Sequence, residues 1–275
     1  MEIKRLWKIY FSPTGTTARL VNTIGDCLAA SCGVESHTYD FTLPSARSAF
    51  PELNETDLVV FGCPTYAGRL PNLLLPYLGT IAGTGASAIP LVSFGNRAFD
   101  NSPAELTAAM ENAGFRTIAA AAFSCEHSFS KTLGAGRPDE ADLKEAESFA
   151  LAVFGKMVRS VAFCEPLLSI KVDGDPNAPY YKPQDRHGNF IDIRKVKPLT
   201  SDACMGCGLC AEICPMGAID KNDVHLVPGI CIKCGACIKK CPQSAKYYDD
   251  AGYLYHKNEL ESMYGSIRAK NAFFL

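Results

Sequence analysis

No apolar run in this 275-residue chain approaches the ~20 residues that a membrane-spanning helix needs. Charge of one sign is missing too. Its 27 Lys and Arg stand against 29 Asp and Glu, a net charge of −2, so there is no electrostatic footprint for nucleic acid or a lipid surface. The opening stretch MEIKRLWKIYF reads as a short strand running into a turn, not as an export signal. The turn that follows lacks both the G-x-G-x-x-G of dinucleotide binding and the lysine of an ATP-binding P-loop. These absences predict a cytoplasmic protein with no nucleic-acid and no membrane partner.

Cysteine is what the chain has in quantity, 13 in all. Eight fall in two runs, Cys204, Cys207, Cys210 and Cys214 followed by Pro215, then Cys231, Cys234, Cys237 and Cys241 followed by Pro242. Both runs spell C-x2-C-x2-C-x3-C-P, the bacterial iron–sulfur pattern. Structural zinc asks for two C-x2-C pairs rather than two runs of four. Disulfides do not suit closely spaced cysteines in a chain read as cytoplasmic. The pattern resembles the bacterial ferredoxin with two [4Fe–4S] clusters. In that family the fourth cysteine of each run ligates the other cluster. The resemblance therefore implies one set of Cys204, Cys207, Cys210 and Cys241, and a second of Cys231, Cys234, Cys237 and Cys214. Clusters of this kind are oxygen-labile, so an anaerobic host is the expectation.

The first half alternates strand-like and helix-like segments. Strands are predicted at 6–11, 58–62, 89–94 and 117–123, and helices at 16–31, 70–81, from Ser102 as N-cap, and 138–159. That βαβα order predicts a doubly wound parallel α/β sheet. Residues 165–200 hold five prolines with little periodicity and read as a linker packed over a surface. The cysteine repeat, offset by 27 residues, marks a small α+β module. The tail is polar first and apolar last, a segment expected to dock. The expected division is 1–164, a linker at 165–196, the cysteine module at 197–250 and a tail at 251–275.

Three loops follow predicted strands. Ser12-Pro13-Thr14-Gly15-Thr16-Thr17 brings hydroxyls and amides to a helix N-terminus, where phosphate is favoured. Pro64-Thr65-Tyr66-Ala67-Gly68-Arg69 places an aromatic after the next strand, and Phe94-Gly95-Asn96-Arg97 with Phe99 and Asp100 follows the third. As a set they resemble the FMN loops of flavodoxins. That resemblance implies that Ser12, Thr14, Gly15, Thr16 and Thr17 hold the phosphate and that Tyr66 stacks on the isoalloxazine. It further implies that amides of 65–69 face the ring, and that Asn96 and Asp100 bond it. The sheet order 2-1-3-4-5 would put FMN at the switch between the first and third strands. The whole chain resembles flavodoxin–ferredoxin fusion proteins.

The resemblance implies an electron-transfer oxidoreductase relaying electrons between two [4Fe–4S] clusters and FMN, with a redox partner protein or small-molecule acceptor and a homodimer left open. The alternative is an FMN-dependent reductase of a small organic substrate fed by the clusters. No catalytic residue is assigned. The long 125–137 loop reads equally as a wall beside the flavin and as a solvated connection. His127 reads as structural before proton donor, Cys27, Cys63 and Cys125 as packing, and Arg69 and Arg97 as surface groups before anion ligands.

Overall fold

A computed structural model describes residues 2–275. Its first half runs β1 (Arg5–Tyr10), α1 (Thr16–Cys32), β2 (Glu35–Asp40), β3 (Asp57–Pro64), α2 (Leu75–Leu78), β4 (Ser87–Phe94), α3 (Ser102–Asn112), β5 (Arg116–Thr117), β6 (Ala120–Ser124) and α4 (Glu140–Ala162). Then come β7 (Leu199–Thr200), α5 (Leu209–Glu212), α6 (Ala236–Lys239), β8 (Lys246–Tyr247), α7 (Ala251–Tyr264) and β9 (Ala272–Phe274).

Strands β3 and β4 are buried along their whole length, which is why they read as unbroken apolar runs. They occupy the centre of a sheet ordered β2-β1-β3-β4-β6-β9. Every pairing from β2 to β6 is parallel. β5 also pairs with β4 and completes an interrupted fifth strand. This is the flavodoxin-like order, in which ligands bind beyond the carboxyl ends of β1 and β3.

Helix α1 turns Leu20, Ile24 and Leu28 onto one face of the sheet, where Phe149 and Val153 of α4 join them. Phe61, Val92, Leu106 and Met110 fill the other face beneath α3. Each such side chain, fully buried, contributes about 1.5–3 kcal/mol. Helix α4 starts at Asp139 in a capping box with Asp142.

Three local expectations need correction. The 70–81 helix is only a 3-10 turn at Asn72–Leu74 and the single turn α2. Pro76 has no N–H for the i−4 carbonyl and is tolerated only in a helix's first turn. Ser102 is the first residue of α3 rather than its cap. Asn101 holds the cap position, and the Ser102 hydroxyl donates to the Phe99 carbonyl at 2.8 Å. Strand β2 lies outside the predicted strands: Glu-Ser-His-Thr-Tyr-Asp is polar, as an exposed edge strand allows.

The tail docks as expected. β9 adds to β6 antiparallel, and Phe273 packs on Phe123 and Phe149 at 5.4 and 5.3 Å between ring centres. The 165–200 segment lies over the sheet's ligand edge. Tyr181 N–H donates to the Ala67 carbonyl at 2.9 Å, and the Tyr180 hydroxyl to that of Leu70 at 2.9 Å. Among the described residues no helix is long and apolar enough to cross a membrane.

Candidate functional site: two cysteine cages beside a strand-end recess

The 27-residue sequence repeat is repeated in the backbone. Helix α5 and helix α6 begin at equivalent positions, after Gly208 (φ 76°) and Gly235 (φ 72°). Gly206 at φ 69° is matched by Lys233 at φ 59°, so the left-handed turn is kept even where a side chain strains it. In both halves an alanine amide points at the last cysteine of its run: Ala218 N–H to Cys214 Sγ at 3.2 Å, and Ala245 N–H to Cys241 Sγ at 3.3 Å. Amide bonds to sulfur are one of the protein's means of setting a cluster's potential.

The cysteines line two separate cavities. Cys204, Cys207, Cys210 and Cys241 border one, and Cys214, Cys231, Cys234 and Cys237 border the other. Cys237 also reaches the wall of the first. Each cavity thus gathers three sulfurs of one run and the fourth of the other, a donor set that fits a four-thiolate cubane.

At the sheet's carboxyl edge the first loop is partly tied up internally. Ser12 Oγ accepts from Ala18 N–H at 2.9 Å, and Thr17 Oγ1 bonds Ser93 Oγ at 2.7 Å. That leaves the Thr14 hydroxyl, the Thr16 hydroxyl beside the Cys125 thiol, and first-turn amides of α1 that no helical carbonyl can reach. Gly15 holds φ 97°, with open space around it.

The second loop is a tight turn closed by Tyr66 and Arg69, whose amides and carbonyls exchange bonds of 2.8 and 3.1 Å. Thr65 N–H donates to the Ser93 carbonyl at 2.7 Å. Of the five amides at 65–69, those of Ala67 and Gly68 have no protein partner among the described residues. Burial, with the nearby thiols of Cys234, Cys63 and Cys231, pushes the Tyr66 phenol well above its ordinary value and keeps it neutral.

Arg69 is neither a surface group nor an anion ligand. Its guanidinium is buried, pairs twice with Glu105 at 2.6 and 2.7 Å, and lies 5.2 Å from the Tyr180 ring centre. In the third loop Asn96 is committed elsewhere. Its amide donates to the Ile267 carbonyl at 2.7 Å, and its oxygen accepts from Ser124 and from the Ala269 amide. Its side chain therefore anchors the tail rather than facing a ring. Asp100 is paired with Arg97, whose guanidinium sits 4.6 Å from the Tyr181 ring centre, and Phe99 packs against Phe94 at 5.4 Å.

A recess gathers these loop ends. Thr14, Thr16 and Thr17 line it with Tyr66, Gly95 and His127, and so does Cys234 of the second cysteine cage. The 125–137 loop forms its wall, clamped from outside by Lys239, which pairs with Glu126 and donates to the Ser130 carbonyl at 2.9 Å. Gly95 is required here, since a β-carbon would come within 2.3 Å of the His127 ring. Burial, with Lys239 and His256 adding repulsion, holds His127 down to about 3, and its Nδ1 accepts from Phe129 N–H at 3.1 Å. Burial pushes the Cys63 and Cys125 thiols well up, consistent with packing rather than nucleophilic roles.

The recess opens into a cleft of about 630 Å³ between the second and third loops, the 179–194 strap, residues 230–233 and α7. Recess and cleft share Thr65, Tyr66, Gly95, His127 and Ser128. Sequence reasoning missed His256 and Lys233 in this lining. Nothing marks the histidine in sequence, and the lysine's only signal is that it stands where the other repeat has Gly206.

Residues 203–245 match the family described as a 4Fe-4S dicluster domain. Among curated proteins none matches. Solved structures similar to the first half include a flavodoxin from the domain Archaea, at 14% identity and TM-score 0.38, covering 57% of this chain and 99% of that one. Flavodoxin 1 from Bacillus cereus is similar at 19% identity and TM-score 0.38, covering 56% and 98%. The rubredoxin oxygen:oxidoreductase of the anaerobe Desulfovibrio gigas is similar at 13% identity and TM-score 0.41, covering 58% of this chain and 38% of that one. The flavodoxin-like assignment of the sheet rests on its strand order.

Proposed function

We propose that the protein is an electron-transfer oxidoreductase that relays electrons between two [4Fe–4S] clusters and one FMN within a single chain. When bound, the clusters supply one-electron chemistry and the flavin joins one- to two-electron chemistry. In this reading Thr14, Thr16 and the first turn of α1 hold the FMN phosphate, and Tyr66 stacks on the ring.

One observation carries the proposal: Cys234 lines the same recess as Thr14, Thr16 and Tyr66. The cage of Cys214, Cys231, Cys234 and Cys237 is then the flavin side of the relay. The cage of Cys204, Cys207, Cys210 and Cys241 is the outer side, where Cys207 and Met205 are exposed to a partner. The module carries six Lys and six Asp or Glu between Lys197 and Asp250, so docking there depends little on net charge.

The order of the two cages is tested by comparing Cys204→Ala with Cys234→Ala. Loss of the outer ligand should slow reduction by an external one-electron donor while leaving exchange between the remaining cluster and flavin. Loss of the inner ligand should abolish that exchange. Equal effects on both steps would reject the assigned order.

A second reading, reduction of a small organic substrate, is favoured by the cleft of about 630 Å³ that opens beside Tyr66. That volume lies in the range of small-molecule sites.

A further inference from the structure

We propose that Lys246 holds the cluster of the outer cage, that of Cys204, Cys207, Cys210 and Cys241, at a higher reduction potential than the cluster of the inner cage. The step between clusters then runs downhill towards the exposed side. The proposal rests on the cluster reading above and adds a direction to it.

The two repeats differ in charge at a buried position. Five residues after its fourth cysteine the first repeat has Ile219, and the second has Lys246. Ile219 lines the inner cavity and Lys246 the outer one. Lys246 opens β8, whose register sets it opposite Thr200 of β7. It is only 2% exposed, whereas Tyr247 beside it faces solvent. The Lys246 ammonium donates to Thr200 Oγ1 at 2.6 Å and to the Val224 carbonyl, and it has no carboxylate partner among the described residues. A buried ammonium without a counter-charge is costly. The thiolates of the outer cage supply one. Burial raises the thiols of Cys210 and of Cys237, which borders both cavities, and the Lys246 charge opposes that rise at each.

Reduction adds a negative charge to a cubane, so a fixed cation in a poorly solvated wall favours the reduced form. Exposure acts in the same direction, since Cys207 is open to water while Cys234 and Cys237 are buried. Asp202 and Glu212, which adjoin the outer ligands in sequence, are exposed and screened by water. The inner cavity wall has no Lys, Arg, Asp or Glu. The cation beside it is Lys233, which bonds the Cys231 carbonyl at 2.9 Å. Lys233 is half-buried and faces Asp192, so water and that carboxylate offset its charge.

The test is an anaerobic redox titration of the full chain, with iron and sulfide measured and the reduced clusters followed by low-temperature electron paramagnetic resonance. The wild-type protein should show two midpoints. An aqueous dysprosium chelate should speed the relaxation of the signal that forms at the upper one, because that cluster is the exposed one. Lys246→Met should weaken electron uptake at the upper midpoint about tenfold, a fall of about 59 mV, and move the lower midpoint less. Lys246→Arg, which keeps the charge, should keep the wild-type separation. Equal midpoints, dysprosium acting on the lower-potential signal, an upper midpoint unmoved in Lys246→Met, or the same fall in Lys246→Arg overturns the proposal and leaves the cluster reading standing. Wild-type protein that never holds two cubanes overturns both.

Discussion

Gly235 abuts Ser128: a β-carbon at Gly235 would come within 2.4 Å of the Ser128 carbonyl oxygen. This contact brings a cysteine loop against the wall of the strand-end recess. It uses a residue that is needed twice, for its left-handed φ of 72° and for its missing side chain. Gly208, at the equivalent point of the other repeat, has φ 76° but nothing within 4 Å.

The pair separates strain from docking. Gly208→Ala should cost about 1–2 kcal/mol of backbone strain and leave electron transfer to the flavin unchanged. Gly235→Ala should carry the same strain and also push the cysteine module away from Ser128. Transfer to flavin should then slow several-fold at equal iron content. Matching transfer rates in the two variants would show that the Ser128 contact does not set the distance.

Cofactor content follows from the two cages. Anaerobically purified protein should hold about eight iron and eight acid-labile sulfide per chain. Stoichiometric zinc without sulfide would reject the cubane reading.

Tyr66→Ala should loosen the flavin by about 1 kcal/mol or more, roughly fivefold in Kd, since stacking contributes on that order beyond area burial. Heat-released flavin should run as FMN on chromatography. FAD in its place would contradict the phosphate role given to Thr14 and Thr16.

His127 makes stability pH-dependent, and the sign is set by its depressed value. The folded form stays neutral to about pH 3 because of burial, whereas the unfolded chain takes up a proton below about pH 6.5. Stability is therefore full above pH 6.5 and falls by about 1.4 kcal/mol per unit as pH drops below it. His256, lowered by burial and by Arg97, acts in the same direction. Thermal unfolding at a fixed scan rate should come earlier at pH 5.5 than at pH 7.5. His127→Asn, which keeps an acceptor for the Phe129 amide, should reduce that difference.

Much of this was legible in the chain. The buried runs around Leu58 and Ile89 announce central parallel strands because both sheet faces are covered there. The cysteine spacing is legible because a cubane's four-thiolate geometry is local except for the crossing residue. What stayed hidden is long-range. Asn96 looks like a loop polar group until the tail, some 170 residues later, places the carbonyl of Ile267 beside it. Arg69 looks exposed until Glu105 and the strap at Ala178 bury it. The cleft is built from six separate stretches, the 125–137 loop among them, and no single one carries its pattern.

The central claim is transfer between the clusters and FMN inside one chain, across the wall that Cys234 shares with Tyr66. The most direct test is rapid one-electron reduction of the clusters in anaerobic protein, followed optically through flavin reduction over about a hundredfold range of dilution. The account predicts a flavin-reduction rate independent of protein concentration. A rate that falls in proportion to dilution would mean transfer between molecules that meet by diffusion, and would contradict it.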